Sequence, residues 1–210
     1  MQSAIATKNN ITLKGSTEIV TEFFCIGIYP PESFTRVAKY GLSILVTADK
    51  GLKEYLDNVL KQLSDWLLTG NVQKLVLVIT DVVTKETLER WVFDVQTDIP
   101  KEGETPRQKP EKEIMNEIQA IIRQITASIT FLPLLPNACT FDLLVYTNKD
   151  IAVPQKWEES DPQYITNSQH VRLRSFTTTI HKVDTMVAYK MDAIVVSALL
   201  ASHQIIERAL

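Results

Sequence analysis

The chain has 210 residues, 45% of them hydrophobic and 22% charged, and a net charge of −3. That length and apolar content suit one domain with a sizeable core, and the slight acidic excess argues against a phosphate-neutralising surface, so nucleic acid is not an expected partner. No apolar run approaches bilayer-spanning length and MQSAIATKNN lacks the basic and apolar regions of a secretory signal, so no membrane is expected and the chain reads as cytosolic or nuclear.

The first organised stretch is TLKGSTEIVTEFF, where Ile19, Val20, Phe23 and Phe24 recur at helical spacing behind the cap-competent Thr12 and Ser16. A short amphipathic helix is expected there. Pro30 and Pro31 break the pattern, and FTRVAKYGLSILVT, with Gly41 inside it and a change of period near Leu42, reads as mixed structure. From Asp49 the signal is regular: Leu52, Leu56, Val59, Leu63 and Trp66 fall on one helical face, Asp49 can cap it, and Gly70 stands where the helix would stop. VQKLVLVIT and LERWVFDVQ predict two strands, the second with Trp91, Phe93 and Val95 on one face, joined as a hairpin through DVVTKET. Asp98 to Lys112, rich in charge and proline, predicts an exposed mobile loop. In EKEIMNEIQAIIRQITASITFL, Ile114, Ile118, Ile121, Ile122 and Ile125 form one stripe, enough for a helix packed centrally against a sheet. TFDLLVYT predicts a strand, Trp157 to Asn167 a loop, and the nearly alternating stretch from Val171 to Lys190 further strands. Helices interspersed with hairpin-type strands predict an α+β fold.

Chemistry is sparse. The sequence has no Gly-rich phosphate loop, no Cys-x-x-Cys pair, no H-E-x-x-H and no G-x-S-x-G, so no enzyme, metal or cofactor is expected. His170, His181 and His203 are not spaced as ligands, and His181 reads as a packed or strand-end histidine satisfied by one hydrogen bond rather than a proton switch. Glu158 and Glu159 are adjacent, which in an extended chain sends them to opposite faces and unfits them to flank one bond. Cys25 and Cys139 read as buried reduced thiols.

The strings ITLKGSTEIVTEFF, TLERWVFDV, IRQITASITFLPLL, FDLLVYTNKD, VPQKWEESDPQYITNS and VRLRSFTTTIHKVDTMVAYK, in that order between about Ile11 and Lys190, resemble the spindle-checkpoint branch of the HORMA domain family. The resemblance implies a HORMA domain over 11–190: a mainly antiparallel sheet packed on about three helices, with a mobile C-terminal safety belt. It also implies a non-enzymatic regulator that captures short peptide motifs under that belt and restrains the anaphase-promoting complex through its activator. The partners implied are that activator, a kinetochore checkpoint anchor protein, a second copy in a conformational dimer, and a checkpoint-silencing HORMA-like adaptor. The locations implied are nucleus, kinetochore and cytoplasm. Two other readings stay open, a HORMA adaptor of translesion polymerase or the meiotic axis, and a poorly folding splice product.

Carried over by residue, the resemblance assigns peptide binding to Trp66, Leu143, Leu144, Val145, Tyr146, Thr147 and Trp157. Of these, Leu143 and Val145 are expected on one strand face and Leu144 and Tyr146 on the other. The belt is assigned Val171, Leu173, Phe176, Ile180, His181, Val187 and Tyr189, and is expected to be separable from the core helix and hairpin. The dimer surface is assigned Arg123, Gln124, Phe131 and Arg174. The chain departs from the family twice. After EFFC the family's first helix runs on for about nine residues, roughly 13 Å, whereas here Cys25 leads straight into Ile26 and Gly27. Beyond Lys190 stands an atypical tail over 191–210, read with the first departure as the product of misplaced splice junctions.

Overall fold

The computed structural model describes residues 31–98, 108–128, 130–135, 137–148, 151, 153–154, 157 and 159–191. The expected first helix, its shortened exit, Cys25 and the tail after Met191 therefore lie outside the described residues. After a single 3-10 turn at Pro31–Ser33 come β1 (Phe34–Lys39) and β2 (Leu42–Thr47), α1 (Lys50–Leu68), β3 (Val72–Asp81), β4 (Thr87–Thr97), α2 (Glu111–Ser128), β5 (Cys139–Thr147), β6 (Ser168–Arg172), β7 (Phe176–Thr177) and β8 (His181–Lys190).

The stretch expected to be mixed is a hairpin. β1 and β2 pair antiparallel with Lys39 opposite Leu42, so only Tyr40 and Gly41 make the turn, at φ of 51° and 67°. Positive φ at both central residues matches the right-handed twist of paired strands, but a tyrosine gives no such signal in sequence. The turn is held from outside: Gln119 of α2 donates to the Tyr40 carbonyl at 2.7 Å. A Cβ on Gly41 would lie 2.8 Å from that same amide nitrogen, so the close approach as well as the φ requires glycine.

The α1 signals act as expected. Asp49 Oδ1 accepts from the Leu52 N–H at 2.7 Å, Leu52, Leu56, Leu63 and Trp66 are buried, and Val59 is half-buried. Gly70, at φ 70°, closes the helix with Gly70 N–H donating to Leu67 and Asn71 N–H to Trp66, a Schellman ending. In the following hairpin, Asp81 Oδ1 accepts from the N–H groups of Val83 and Thr84 at 2.7 and 2.8 Å, which fixes the turn between β3 and β4.

Among the described residues the main sheet has six strands, running β5–β3–β4–β8–β6 with β7 also on β8, and every pairing is antiparallel. One face carries Leu77, Ile79, Trp91, Phe93, Val183 and Val187 against Ile114, Ile118, Ile121, Ile122 and Ile125 of α2. The reverse face carries Val76, Val78 and Val92 with Leu144, Tyr146 and Met186. Two-residue alternation along each strand produces both layers.

β8 lies between β4 and β6, with Val187 fully buried, and the C-terminal strands β6, β7 and β8 together make the end of the sheet opposite β5. One expectation needs correction. The loop before α2 is not exposed throughout, because Lys109 is buried, and Glu111 and Lys112 already belong to the helix.

Replacing Ile121 with Ala, at a position fully enclosed by the core, is expected to destabilise the domain by about 2–5 kcal/mol. Urea titration should show a lower midpoint at unchanged slope. An unchanged midpoint would place α2 outside the core.

Candidate peptide-binding edge and belt

β5 ends the sheet. It pairs with β3 from Cys139 opposite Asp81 to Thr147 opposite Val72, and among the described residues no strand pairs with its other side. That side presents a row of backbone donors and acceptors of the kind that accepts an added strand. Leu143 packs toward the α2 core and Val145 on the cluster of Leu63, Trp66 and Val72, while Leu144 and Tyr146 lie on the reverse face. The end of the strand is pinned by Asn148, whose N–H donates to the Asn71 carbonyl at 3.1 Å and whose Oδ1 accepts from Gln73 at 2.7 Å.

Trp66 and Trp157 meet with ring centroids 5.1 Å apart and planes tilted by 60°. Trp66 is only 6% exposed and belongs first to the core, whereas half-buried Trp157 leans on it from the chain leaving β5. Beyond Trp157 the chain reaches the reverse face. There the Arg90 guanidinium donates through Nε to the Pro162 carbonyl at 3.2 Å and through Nη2 to the Tyr146 hydroxyl at 3.3 Å. It also stacks on the Tyr164 ring at 4.9 Å. Arg90 is buried, and one side chain thus ties the crossing segment to the edge strand. The sequence hid this role, because Arg90 occupies an ordinary polar position of an alternating strand.

The chain next lays β6 on the outer side of β8, which pairs with β4 from Thr97 opposite His181 to Glu89 opposite Tyr189. Phe176, Ile180 and Val187 are buried, Val171 and Leu173 pack on the main core, and Tyr189 is half-buried. His181 is buried and its Nε2 lies 3.2 Å from the Leu67 carbonyl, so the neutral ring donates from Nε2. Burial holds its pKa below the ordinary 6.5, against the smaller opposite pull of that carbonyl.

The assigned dimer residues lie on α2, its exit and the segment after β6. Gln124 Oε1 accepts from the Arg174 N–H at 2.6 Å, Arg123 and Arg174 are exposed, and Phe131 is 48% exposed. Elsewhere, Glu159 is exposed and Glu158 lies outside the described residues, while exposed His170 has Nε2 3.0 Å from the Ser168 hydroxyl. Cys139 is a buried free thiol, pushed up in pKa by burial and then by Asp81 and Glu89. Among the described residues no cluster of His, Cys, Asp or Glu has the arrangement of a metal site.

Residues 16–181 match the HORMA domain family. The chain is 80% identical over 201 residues to the mitotic spindle assembly checkpoint protein MAD2A of Dictyostelium discoideum, a match covering 91% of this chain and 99% of that protein. It belongs to the HORMA domain family, among the spindle checkpoint proteins. A chain in the crystal structure of the mitotic checkpoint complex superposes on this HORMA domain with a TM-score of 0.79 at 42% identity, covering 87% of this chain and 98% of that one. Caenorhabditis elegans HTP-2 bound to a HIM-3 closure motif superposes with a TM-score of 0.69 at 14% identity, covering 87% and 89%, a likeness of fold.

The His181 environment gives a pH prediction. The unfolded imidazole takes up a proton near its ordinary 6.5, while the folded one stays neutral to lower pH, so the unfolded state binds more protons in between. Stability is expected to fall as pH drops below about 6.5, and His181→Gln should flatten that part of the profile. An identical slope in the variant would assign the proton uptake elsewhere.

Proposed function

We propose that this HORMA domain is a peptide-capturing checkpoint regulator. A short motif adds as a strand to the open side of β5, and the segment from Trp157 to Asn167 passes over it to deliver β6–β8 to the opposite side of the sheet. The observation that carries this reading is the division of the two sides: β8 occupies β4, and β5 is left without an outer partner among the described residues. This is the closed arrangement of the belt. Arg90 fits the scheme because it secures the crossing against Tyr146 of the receiving strand.

The occupant is the motif of the anaphase-promoting complex activator, or that of a kinetochore anchor protein, and holding the activator restrains the complex. The likeness to a chain of the mitotic checkpoint complex supports the first, and capture of a closure motif by HTP-2 supports the mode. Arg123, Gln124, Phe131 and Arg174 form the surface for a second copy of the chain and for a checkpoint-silencing HORMA-like adaptor. The protein acts without catalysis, in nucleus and cytoplasm and at kinetochores, through a domain spanning 11–190.

The test is retention of fluorescent peptides by the full chain. Activator and anchor motifs should be held and released slowly, and Arg90→Ala should speed release more than it slows association, because a crossing that must loosen before release acts on the off-rate. Equal retention of polymerase or meiotic-axis peptides, or none of any, would overturn the assignment.

A further inference from the structure

Lys109 stands out as a buried cation in a stretch whose composition predicts exposure. Its side chain is 8% exposed, and its ammonium meets three acceptors: Glu117 Oε1 at 2.6 Å, the Thr177 carbonyl at 3.1 Å and the Thr177 hydroxyl at 2.5 Å. An ammonium has three protons, so the set is complete. The other oxygen of Glu117, Oε2, accepts from the Thr177 N–H at 2.8 Å and from its hydroxyl at 3.2 Å. Burial pushes the Glu117 carboxyl up, but Lys109 and Thr177 outweigh it and hold the group below its ordinary value. Pro110 fixes where Lys109 sits, since its carbonyl accepts from Glu113 and Ile114 in the first turn of α2.

The members come from two parts of the molecule. Lys109 and Glu117 belong to the helical body, and Thr177 belongs to β7, which pairs with β8 through only Phe176–Val183 and Thr177–Lys182. So short a ladder is weak alone, yet every polar group of Thr177 is taken up by the ion pair or the strand. When the belt leaves this seat, Lys109 and Glu117 keep each other but lose four hydrogen bonds to Thr177. Contacts made in only one arrangement are what bias a two-state element.

We propose that Lys109 and Glu117 form a clasp that holds the belt shut, positioning residues that act through Thr177 to set how long a captured segment stays bound. The inference rests on the capture reading for its consequence, but the clasp itself is measurable without a ligand. Full-chain Lys109→Met, Glu117→Gln and Thr177→Val are compared with Thr177→Ser, which keeps the hydroxyl. In ligand-free protein, amide exchange at Thr177 and Thr178 should rise about tenfold or more in the first three, as for loss of charge-assisted hydrogen bonds. Exchange at Val76 to Ile79 should hold steady, and Thr177→Ser should match the parent. With a fluorescent activator-motif peptide, release should accelerate by a similar factor while association stays within about twofold.

Unchanged exchange in all three variants, or a rise shared equally by β3, would overturn the clasp, the latter by showing a merely structural pair. Local acceleration in a parent that retains no peptide would sustain the clasp and sink the capture reading. Peptide retained by the parent and released at the same rate by every variant would do the reverse.

Discussion

Nine residues of β8 pair with nine of β4, and this ladder decides which edge of the sheet stands open among the described residues. Backbone N–H and C=O groups taken out of water must be paired. One C-terminal segment cannot satisfy β4 and β5 at once, because they stand on opposite sides of β3. Seated on β4, it leaves the outer side of β5 without a strand among the described residues. The remaining features serve that choice: Val183 and Val187 give β8 an apolar footing on the α2 core, β6 protects its outer side, and Arg90 carries the crossing over the reverse face.

The seat is good but imperfect. Thr185 is 3% exposed, and among the described residues neither its hydroxyl nor the buried Thr179 hydroxyl has a hydrogen-bond partner. A buried unsatisfied hydroxyl costs about 1–3 kcal/mol, enough to offset a good part of the gain from one buried valine. Valine would fill the same space without that penalty. Under the proposed capture, threonine at these positions suits a segment whose side chains meet protein in one arrangement and water in another, and it makes specific polar ties such as that at Thr177 matter more to the balance.

Much of this was legible in the sequence because it rests on local rules. The isoleucine stripe of α2, the Asp49 cap, Gly70 and the alternation around Trp91 each declare an element with no knowledge of its neighbours. The two faces of β5 follow from the same alternation. What could not be read depends on partners distant in sequence. The Tyr40–Gly41 turn is secured by Gln119, so the local tyrosine gave no hint of a positive φ. Arg90 and Lys109 look like solvated charges until Tyr146, Pro162, Glu117 and Thr177 are brought around them by the fold. Of the residues assigned by resemblance, Trp66 and Trp157 are in contact and Gln124 meets Arg174, pairings that no spacing rule supplies.

The central claim is that a captured segment becomes the neighbour of β5 while β8 remains on β4. The most direct measurement is isotope-filtered NMR on the full chain with an unlabelled activator-motif peptide, reading backbone proton contacts between peptide and protein. Cross-strand contacts should join the peptide to Thr140 through Thr147, with the contacts between β4 and β8 intact. Peptide contacts to β4, loss of the β4–β8 contacts on binding, or a bound peptide with no backbone contact to β5 would contradict it.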